Sequence, residues 1–226
     1  SRTGSGWPWC PKRRRDTSSL KRWLSTQGFL HPDLKEEIER DLWPEGQLYG
    51  SYALTEASPA VTVLKPTDTP REWGSVGRPY MCTEVRIVDE EDHDRPVGEE
   101  GEIIVRGPSV FKGYYKNPEE TERTLRGGWL HTGDVGKYDD LGYLYMVDRL
   151  KDMIKTGGLN VYCREIEEVL SRHPDIVEGV IIGVPNPKWG ESIRAIIVPR
   201  PGSGLAEEAV VKHCRKHLAS YKKPTS

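Results

Sequence analysis

The apolar residues of this 226-residue chain occur only in short runs. The longest are GVIIGV over 179–184 and AIIV over 195–198. A membrane-spanning helix needs about 20 consecutive apolar residues, so we expect no transmembrane segment. Only 35% of the residues are hydrophobic and 30% are charged, so the chain can bury a core, but a modest one.

Charge argues against a nucleic acid as partner. Lys and Arg number 33 and Asp and Glu 35, so there is no overall positive field to hold a phosphate backbone. The four cysteines, Cys10, Cys82, Cys163 and Cys214, contain no C-x-x-C pair, which argues against a zinc site and a disulfide framework. The N-terminus lacks the apolar segment of a secretory signal. We therefore expect a cytoplasmic protein.

The middle of the chain has the pattern of short strands joined by turns. EVRIVD over 84–89 and EIIVR over 102–106 alternate between apolar and polar residues, and YLYMV over 143–147 is a further strand candidate. Between the last two, NPEE over 117–120 predicts the start of a helix, and the glycines at 127–128 predict its end.

The pattern changes after Asp148. Helices are predicted over 164–173 and about 206–219, and strands over 177–184 and 192–198. The last helix is predicted to bury Val211, Cys214 and Leu218 on one face. By contrast, residues 1–18 are rich in Gly, Ser, Pro and Arg without periodicity, which predicts a disordered tail or one foreign to the fold. The fold class predicted for the rest is α+β.

The segment SYALTEASP over 51–59 combines a hydroxyl, a carboxylate and an aromatic ring. Thr55 and Glu56 are adjacent and lie close to Tyr52. Such a set suits a magnesium–phosphate group beside an aromatic wall. The alternative is a polar strand end without a function.

The segment GGWLHTGDVG over 127–136 places Asp134 directly after Gly133, in a predicted turn. A carboxylate there can accept two hydrogen bonds from a ribose diol, and the alternative is a structural turn residue. His131 and Asp134 suggest a catalytic dyad, but no Ser or Cys nucleophile stands nearby. The segment GEIIVRGPSVFKGYY over 101–115 offers no catalytic group, and we interpret it as scaffolding.

The segment 147–161 mixes Arg149, Lys151 and Lys155 with the glycine pair Gly157–Gly158. Basic groups beside glycines allow the backbone to approach an anion closely. The alternative is a charged linker between two parts of the fold.

In order and spacing, these segments resemble the motifs of the adenylate-forming superfamily, which includes acyl-CoA synthetases, luciferases and the adenylation domains of peptide synthetases. The run GWLHTGDVGKYDDLGYLYMVDRLKDMIKTGGLNVYCREIEEVL over 128–170 carries most of the resemblance, and the acyl-CoA synthetase branch is the most similar. The resemblance implies a two-step ligase for a small carboxylate, with ATP, Mg²⁺ and coenzyme A. A carboxylate forms an acyl-adenylate, and coenzyme A then displaces AMP.

The resemblance also implies roles for residues of the nucleotide site. Gly28 and Tyr52 would lie against the adenine. Thr55 would contact the phosphate, and Glu56 would hold Mg²⁺, so these two are the catalytic candidates. Asp134 would bind the ribose hydroxyls.

Further positions carry over from the second half of the motif run. Met146 would line the nucleotide, and Arg149 would join the ribose contact. Lys151 matches the hinge about which the small domain turns. Lys155, Gly157 and Gly158 match the face that meets coenzyme A.

Two motifs of the family are not found in the sequence. Its phosphate loop would precede residue 19, and its adenylating lysine would follow ASYKKP at 219–224. We therefore expect a C-terminal fragment that is inactive alone. It would hold part of the large AMP-binding domain over 19–147, a hinge over 148–152 and a truncated small domain over 153–226.

Two alternatives remain open at this point. An adenylation domain that loads a carrier protein would share the same motifs. A non-catalytic nucleotide-binding relic, or the product of a mispredicted gene, is the other. The sequence does not identify the carboxylic acid or the oligomeric state.

Overall fold

The computed structural model describes residues 19–26, 36–42, 44–58, 60–68 and 74–224. Two predictions, the tail over 1–18 and the role of Gly28, lie outside the described residues. The described part is a mixed α+β fold, which confirms the predicted class. Within it, no helix has the length and apolar character needed to cross a membrane.

Two small sheets are present among the described residues of the N-terminal part. The strands β1 (Arg22–Ser25) and β2 (Gln47–Gly50) are parallel, and β3 (Thr62–Val63) and β4 (Arg78–Pro79) are antiparallel. A π-helical turn, Ile38–Leu42, lies between β1 and β2.

A five-stranded antiparallel sheet follows. Its strands are β5 (Glu84–Val88), β6 (Gly101–Arg106), β7 (Leu125–Arg126), β8 (Trp129–Tyr138) and β9 (Leu144–Arg149). The order is β5-β6-β8, and both β7 and β9 pair with the other side of β8. The strand candidates over 84–89, 102–106 and 143–147 are therefore confirmed.

A short helix, α1 (Pro118–Thr124), precedes β7. The side-chain oxygen of Asn117 accepts a hydrogen bond from the backbone N–H of Glu120 at 3.2 Å. This cap satisfies a donor that the first turn leaves free, so the predicted helix start is confirmed. The helix ends at Thr124, earlier than the glycines at 127–128 that we predicted to end it, and β7 follows from Leu125.

The C-terminal part begins after a 3₁₀ turn, Leu150–Asp152. Its elements are β10 (Ile154–Thr156), β11 (Leu159–Val161), α2 (Cys163–Ser171), β12 (Ile176–Asn186), β13 (Gly190–Pro199) and α3 (Glu207–His217). The antiparallel sheet has the order β11-β10-β13-β12. Both predicted helices and both predicted strands are present, and the strands form a long hairpin.

Two separate hydrophobic cores stabilise these parts. The first includes Ile103, Leu130 and Leu144, and the second includes Ile166 and Leu170. The two clusters have no residue in common. This separation supports the proposed division of the chain at 148–152.

The buried face of α3 differs in one residue from the prediction. On α3 the buried apolar residues are Val210 and Cys214, whereas Val211 is only partly buried. Leu218 packs at the edge of the second core, as expected. The spacing i, i+4 brings Val210 over Cys214 on the side of the helix that meets α2.

Candidate functional site

Asp134 lies inside strand β8, at a bulge, and not in the turn that we predicted. Glu102 pairs with Val135 and Ile104 with His131, so three residues, 132–134, stand opposite Ile103 alone. Gly133 has φ +70 at this point. Glycine and short polar residues favour turns, and the same residues permit a bulge inside a strand.

The carboxylate of Asp134 has two polar neighbours. The Tyr52 hydroxyl donates to Oδ2 at 2.6 Å, and the Arg149 Nε lies 3.3 Å from Oδ1. Strand β9 sets the second contact, because Arg149 stands opposite Asp134 in the β8–β9 register. The Asp134 side chain is 13% exposed. Burial raises its pKa above the ordinary value, although Tyr52 and Arg149 oppose the shift.

Tyr52 has a role that the sequence did not predict. It is buried in the first core, and its hydroxyl points to Asp134. Burial, and then the Asp134 carboxylate, raise the pKa of Tyr52, so the hydroxyl keeps its proton and donates. The adenine contact remains a prediction.

Glu56 lies in a 3₁₀ turn, Thr55–Ala57. Its Oε1 accepts a hydrogen bond from the Tyr114 hydroxyl at 2.8 Å, and its backbone oxygen accepts the Phe111 N–H at 2.8 Å. We interpreted the segment 101–115 only as scaffolding, but its Tyr114 and Phe111 orient Glu56, the predicted magnesium ligand. Sequence reasoning missed Tyr114 because 58 positions separate it from Glu56.

The donor set at Glu56 is compatible with magnesium. Mg²⁺ usually takes one or two protein carboxylates and completes its octahedron with waters and substrate phosphates. Among the described residues, the one group of three close metal-ligating side chains is Asp89, Glu91 and His93, beyond the end of β5. Glu56 is not part of that group, and a single carboxylate of this kind is what a Mg²⁺ ion bound through substrate phosphates takes from a protein.

An open cavity of about 730 Å³ brings most of the predicted site together. Its lining includes six predicted residues: Tyr52, Thr55, Glu56, Asp134, Met146 and Arg149. Asp148, Arg164 and Glu167 line it as well, and we had not predicted them. Arg164 and Glu167 belong to α2, so the small C-terminal part forms one wall of the cavity.

Lys151 lines an adjoining cavity of about 560 Å³ that also contacts Glu56, Asp134 and Arg149. It lies in the 3₁₀ turn between the two parts of the chain and is exposed. The position suits a hinge residue. The hinge role itself remains a prediction.

Lys155, Gly157 and Gly158 are not among the residues that line either cavity. The Lys155 Nζ lies 3.1 Å from Glu90 Oε1, on the loop after β5. The two glycines form the tight turn between β10 and β11, with φ +58 and +79. The turn accounts for their conformation, and their contact with coenzyme A remains a prediction.

The structure does not form the His131–Asp134 dyad. His131 is buried, and its Nδ1 donates to Glu102 Oε2 at 2.9 Å. Asp134 bonds instead to Tyr52. The histidine therefore fixes the strand that carries Asp134; it lines the 560 Å³ cavity but not the 730 Å³ cavity.

Comparison with solved structures defines the class of the fold. The chain matches the o-succinylbenzoate CoA synthetase of Bacillus subtilis in complex with its acyl-adenylate intermediate, with a TM-score of 0.81 and 32% identity, over 96% of this chain and 42% of that chain. The same enzyme in complex with ATP and magnesium ion gives a TM-score of 0.78. The chain has the fold of adenylating enzymes.

Two family models match separate parts of the sequence. The AMP-binding enzyme model covers residues 6–115, and the model of the AMP-binding enzyme C-terminal domain covers 165–226. The chain belongs to the AMP-binding enzymes. The first match begins at residue 6, inside the segment 1–18, which the composition predicts to be disordered or foreign to the fold.

Curated relatives agree with this family. A feruloyl-CoA synthase of Amycolatopsis sp is 41% identical over 95% of this chain, and a long-chain-fatty-acid–CoA ligase of Escherichia coli O6:H1 is 43% identical over 92%. The chain spans 43% and 36% of the length of these two relatives.

Proposed function

We propose that this chain forms the C-terminal part of an ATP-dependent acyl-CoA ligase, an acid–thiol ligase. The observation that carries the proposal is the Asp134 carboxylate, which Tyr52 and Arg149 hold at one wall of an open cavity. Thr55 and Glu56 line the same cavity. A ribose and a magnesium-bound phosphate can therefore be held side by side.

The reaction has two steps. A carboxylate oxygen of the substrate attacks the α-phosphorus of ATP. The bond between this phosphorus and the oxygen that bridges to the β-phosphate breaks, and pyrophosphate leaves. The thiol sulfur of coenzyme A then attacks the acyl carbon, loses its proton, and AMP leaves. Both steps depend on positioning and on neutralising phosphate charge, since the protein forms no covalent bond to the substrate.

The residues of the cavity divide this work. Asp134 accepts the ribose hydroxyls while Tyr52 and Arg149 fix its two oxygens. Thr55 contacts the phosphate, Glu56 orients the metal ion, and Met146 packs against the nucleotide. Magnesium, when bound, supplies positive charge at the α-phosphate oxygens.

The second step needs a different arrangement of the C-terminal part. In the structure Lys155 pairs with Glu90, away from the two cavities. We propose that the chain turns about Lys151 so that Lys155, Gly157 and Gly158 face the thiol of coenzyme A.

The cysteines that the structure describes, Cys82, Cys163 and Cys214, are free thiols, which suits a cytoplasmic location.

The direct test is carboxylate-dependent exchange of pyrophosphate into ATP, followed by detection of the CoA thioester by mass spectrometry. The sample is the complete protein that carries this chain, with fatty acids and ferulic acid as substrates. We expect both activities, and Glu56→Gln should reduce exchange by about 100-fold, as for other groups that stabilise transition-state charge. Exposed Glu99→Gln is the matched control. Exchange without thioester would overturn the CoA acceptor, and absence of both would overturn the ligase.

Tyr114→Phe tests the orientation of Glu56. The variant removes the hydroxyl that donates to Oε1 and leaves the ring in place. A hydrogen bond to a charged group contributes about 1.5–3 kcal/mol, so we expect the affinity for Mg-ATP to fall about tenfold, while the affinity for AMP without metal stays unchanged. Tyr115→Phe, at an exposed neighbour, should change neither. Equal affinity of Tyr114→Phe and the wild type for Mg-ATP would contradict the role.

A further inference from the structure

The bulge that carries Asp134 leaves backbone groups without ladder partners, and side chains replace those partners. Three residues of β8 face Ile103 alone, so their N–H groups need other acceptors. The Thr132 hydroxyl donates to the Ile103 oxygen at 2.6 Å and accepts the Asp134 N–H at 3.1 Å. The Gly133 N–H donates to Glu102 Oε1 at 3.0 Å.

Glu102 is itself fixed on its second oxygen. Oε2 accepts the His131 Nδ1 proton at 2.9 Å, and Nη2 of Arg126 lies 3.5 Å from the same atom. The exposed fraction of the side chain is 11% for Glu102 and 4% for His131. A carboxylate with this burial and these three neighbours has one orientation, and that orientation determines where the Gly133 amide lies.

We propose that Glu102 is a positioning residue for the ribose carboxylate. It lines the 560 Å³ cavity beside Asp134, and it holds the Gly133 amide directly before Asp134. Loss of the acceptor leaves the Gly133 N–H without its partner, so the bulge changes its conformation and Asp134 moves away from Tyr52 and Arg149. The inference rests on the proposed function, because it assigns to Glu102 the placement of the diol-binding group.

Binding of two nucleotides separates this role from a general structural one. AMP has both ribose hydroxyls, and 2′,3′-dideoxy-AMP lacks them, so the ratio of their affinities measures the diol contact alone. Titration calorimetry on the complete protein that carries this chain gives the ratio for the wild type and for Glu102→Met, which keeps the length of the side chain without an oxygen acceptor. We expect the wild type to favour AMP about 100-fold and Glu102→Met to lose at least tenfold of that preference, with dideoxy-AMP affinity unchanged.

Conservative and matched variants complete the experiment. Glu102→Gln keeps an acceptor oxygen for Gly133 and should retain most of the preference. Glu84→Met, at an exposed position on β5, should retain all of it. If Glu102→Met does not fold, Glu102→Thr replaces it, because threonine favours strands but is too short to reach Gly133.

The outcomes are distinct. A wild type that binds AMP and dideoxy-AMP equally, or binds neither, overturns the proposed function and with it the role of Glu102. A wild type that favours AMP, beside a Glu102→Met that keeps the same ratio or loses both ligands equally, overturns only the positioning role.

Discussion

Replacing Asp134 by asparagine is expected to weaken the affinity for AMP by about 100-fold or more. The carboxylate can accept both ribose hydroxyls, and each charge-assisted hydrogen bond contributes about 1.5–3 kcal/mol. Each 1.4 kcal/mol changes an affinity tenfold. Asparagine retains one oxygen for the Tyr52 hydroxyl, whereas alanine would leave that buried group without its acceptor. Calorimetric titration with AMP gives the result.

The same substitution is expected to leave stability unchanged or to increase it. The pKa of Asp134 is raised by burial, so its contribution to stability is present below the ordinary value of 3.8 and is lost as the pH rises through the folded-state pKa. At neutral pH the charged form is therefore a cost, and the neutral amide removes it. Exposed Asp94→Asn, which alters a pair with Arg86, is the control. For the binding prediction, an AMP affinity of Asp134→Asn equal to that of the wild type would exclude Asp134 from the nucleotide site.

Leu170→Ala is expected to destabilise the C-terminal part by about 2–5 kcal/mol. Leu170 is fully buried in the second core and packs against the backbone of β12 at Gly179. Truncation of such a side chain loses the transfer free energy and leaves a cavity. Leu159→Ala, at a side chain that is 47% exposed, should change stability by no more than about 0.5 kcal/mol.

The first core provides the complementary variant. Ile103 is fully buried among residues of the five-stranded sheet, so Ile103→Ala should destabilise that part and leave the C-terminal transition in place. Differential scanning calorimetry of both variants tests the division at 148–152. A single transition that both substitutions lower equally would show that the two cores unfold as one unit.

The elements of the fold were predictable where one face of a strand or helix is buried. The strands near 84–88 and 101–106 follow from alternation, and the helix at Pro118 follows from its cap. These signals lie within a few consecutive residues. The error at Val211 arose because two neighbouring positions on a helix satisfy the same spacing, and only the packing of α3 on α2 selects Val210.

The candidate site was predictable only through the motif resemblance, and its supporting contacts were not predictable at all. Tyr52 meets Asp134 across 82 positions, and Tyr114 meets Glu56 across 58. Sheet register and loop path decide such contacts, and no local pattern encodes them. The bulge at Gly133 was mistaken for a turn because both need the same residue types.

The most direct test of the account is a crystal structure of this chain with AMP. We predict that both ribose hydroxyls lie within about 2.5–3.0 Å of the Asp134 carboxylate oxygens, with the phosphate toward Thr55 and Glu56. A nucleotide bound elsewhere, with the Asp134 carboxylate still in contact only with Tyr52 and Arg149, would contradict the central claim.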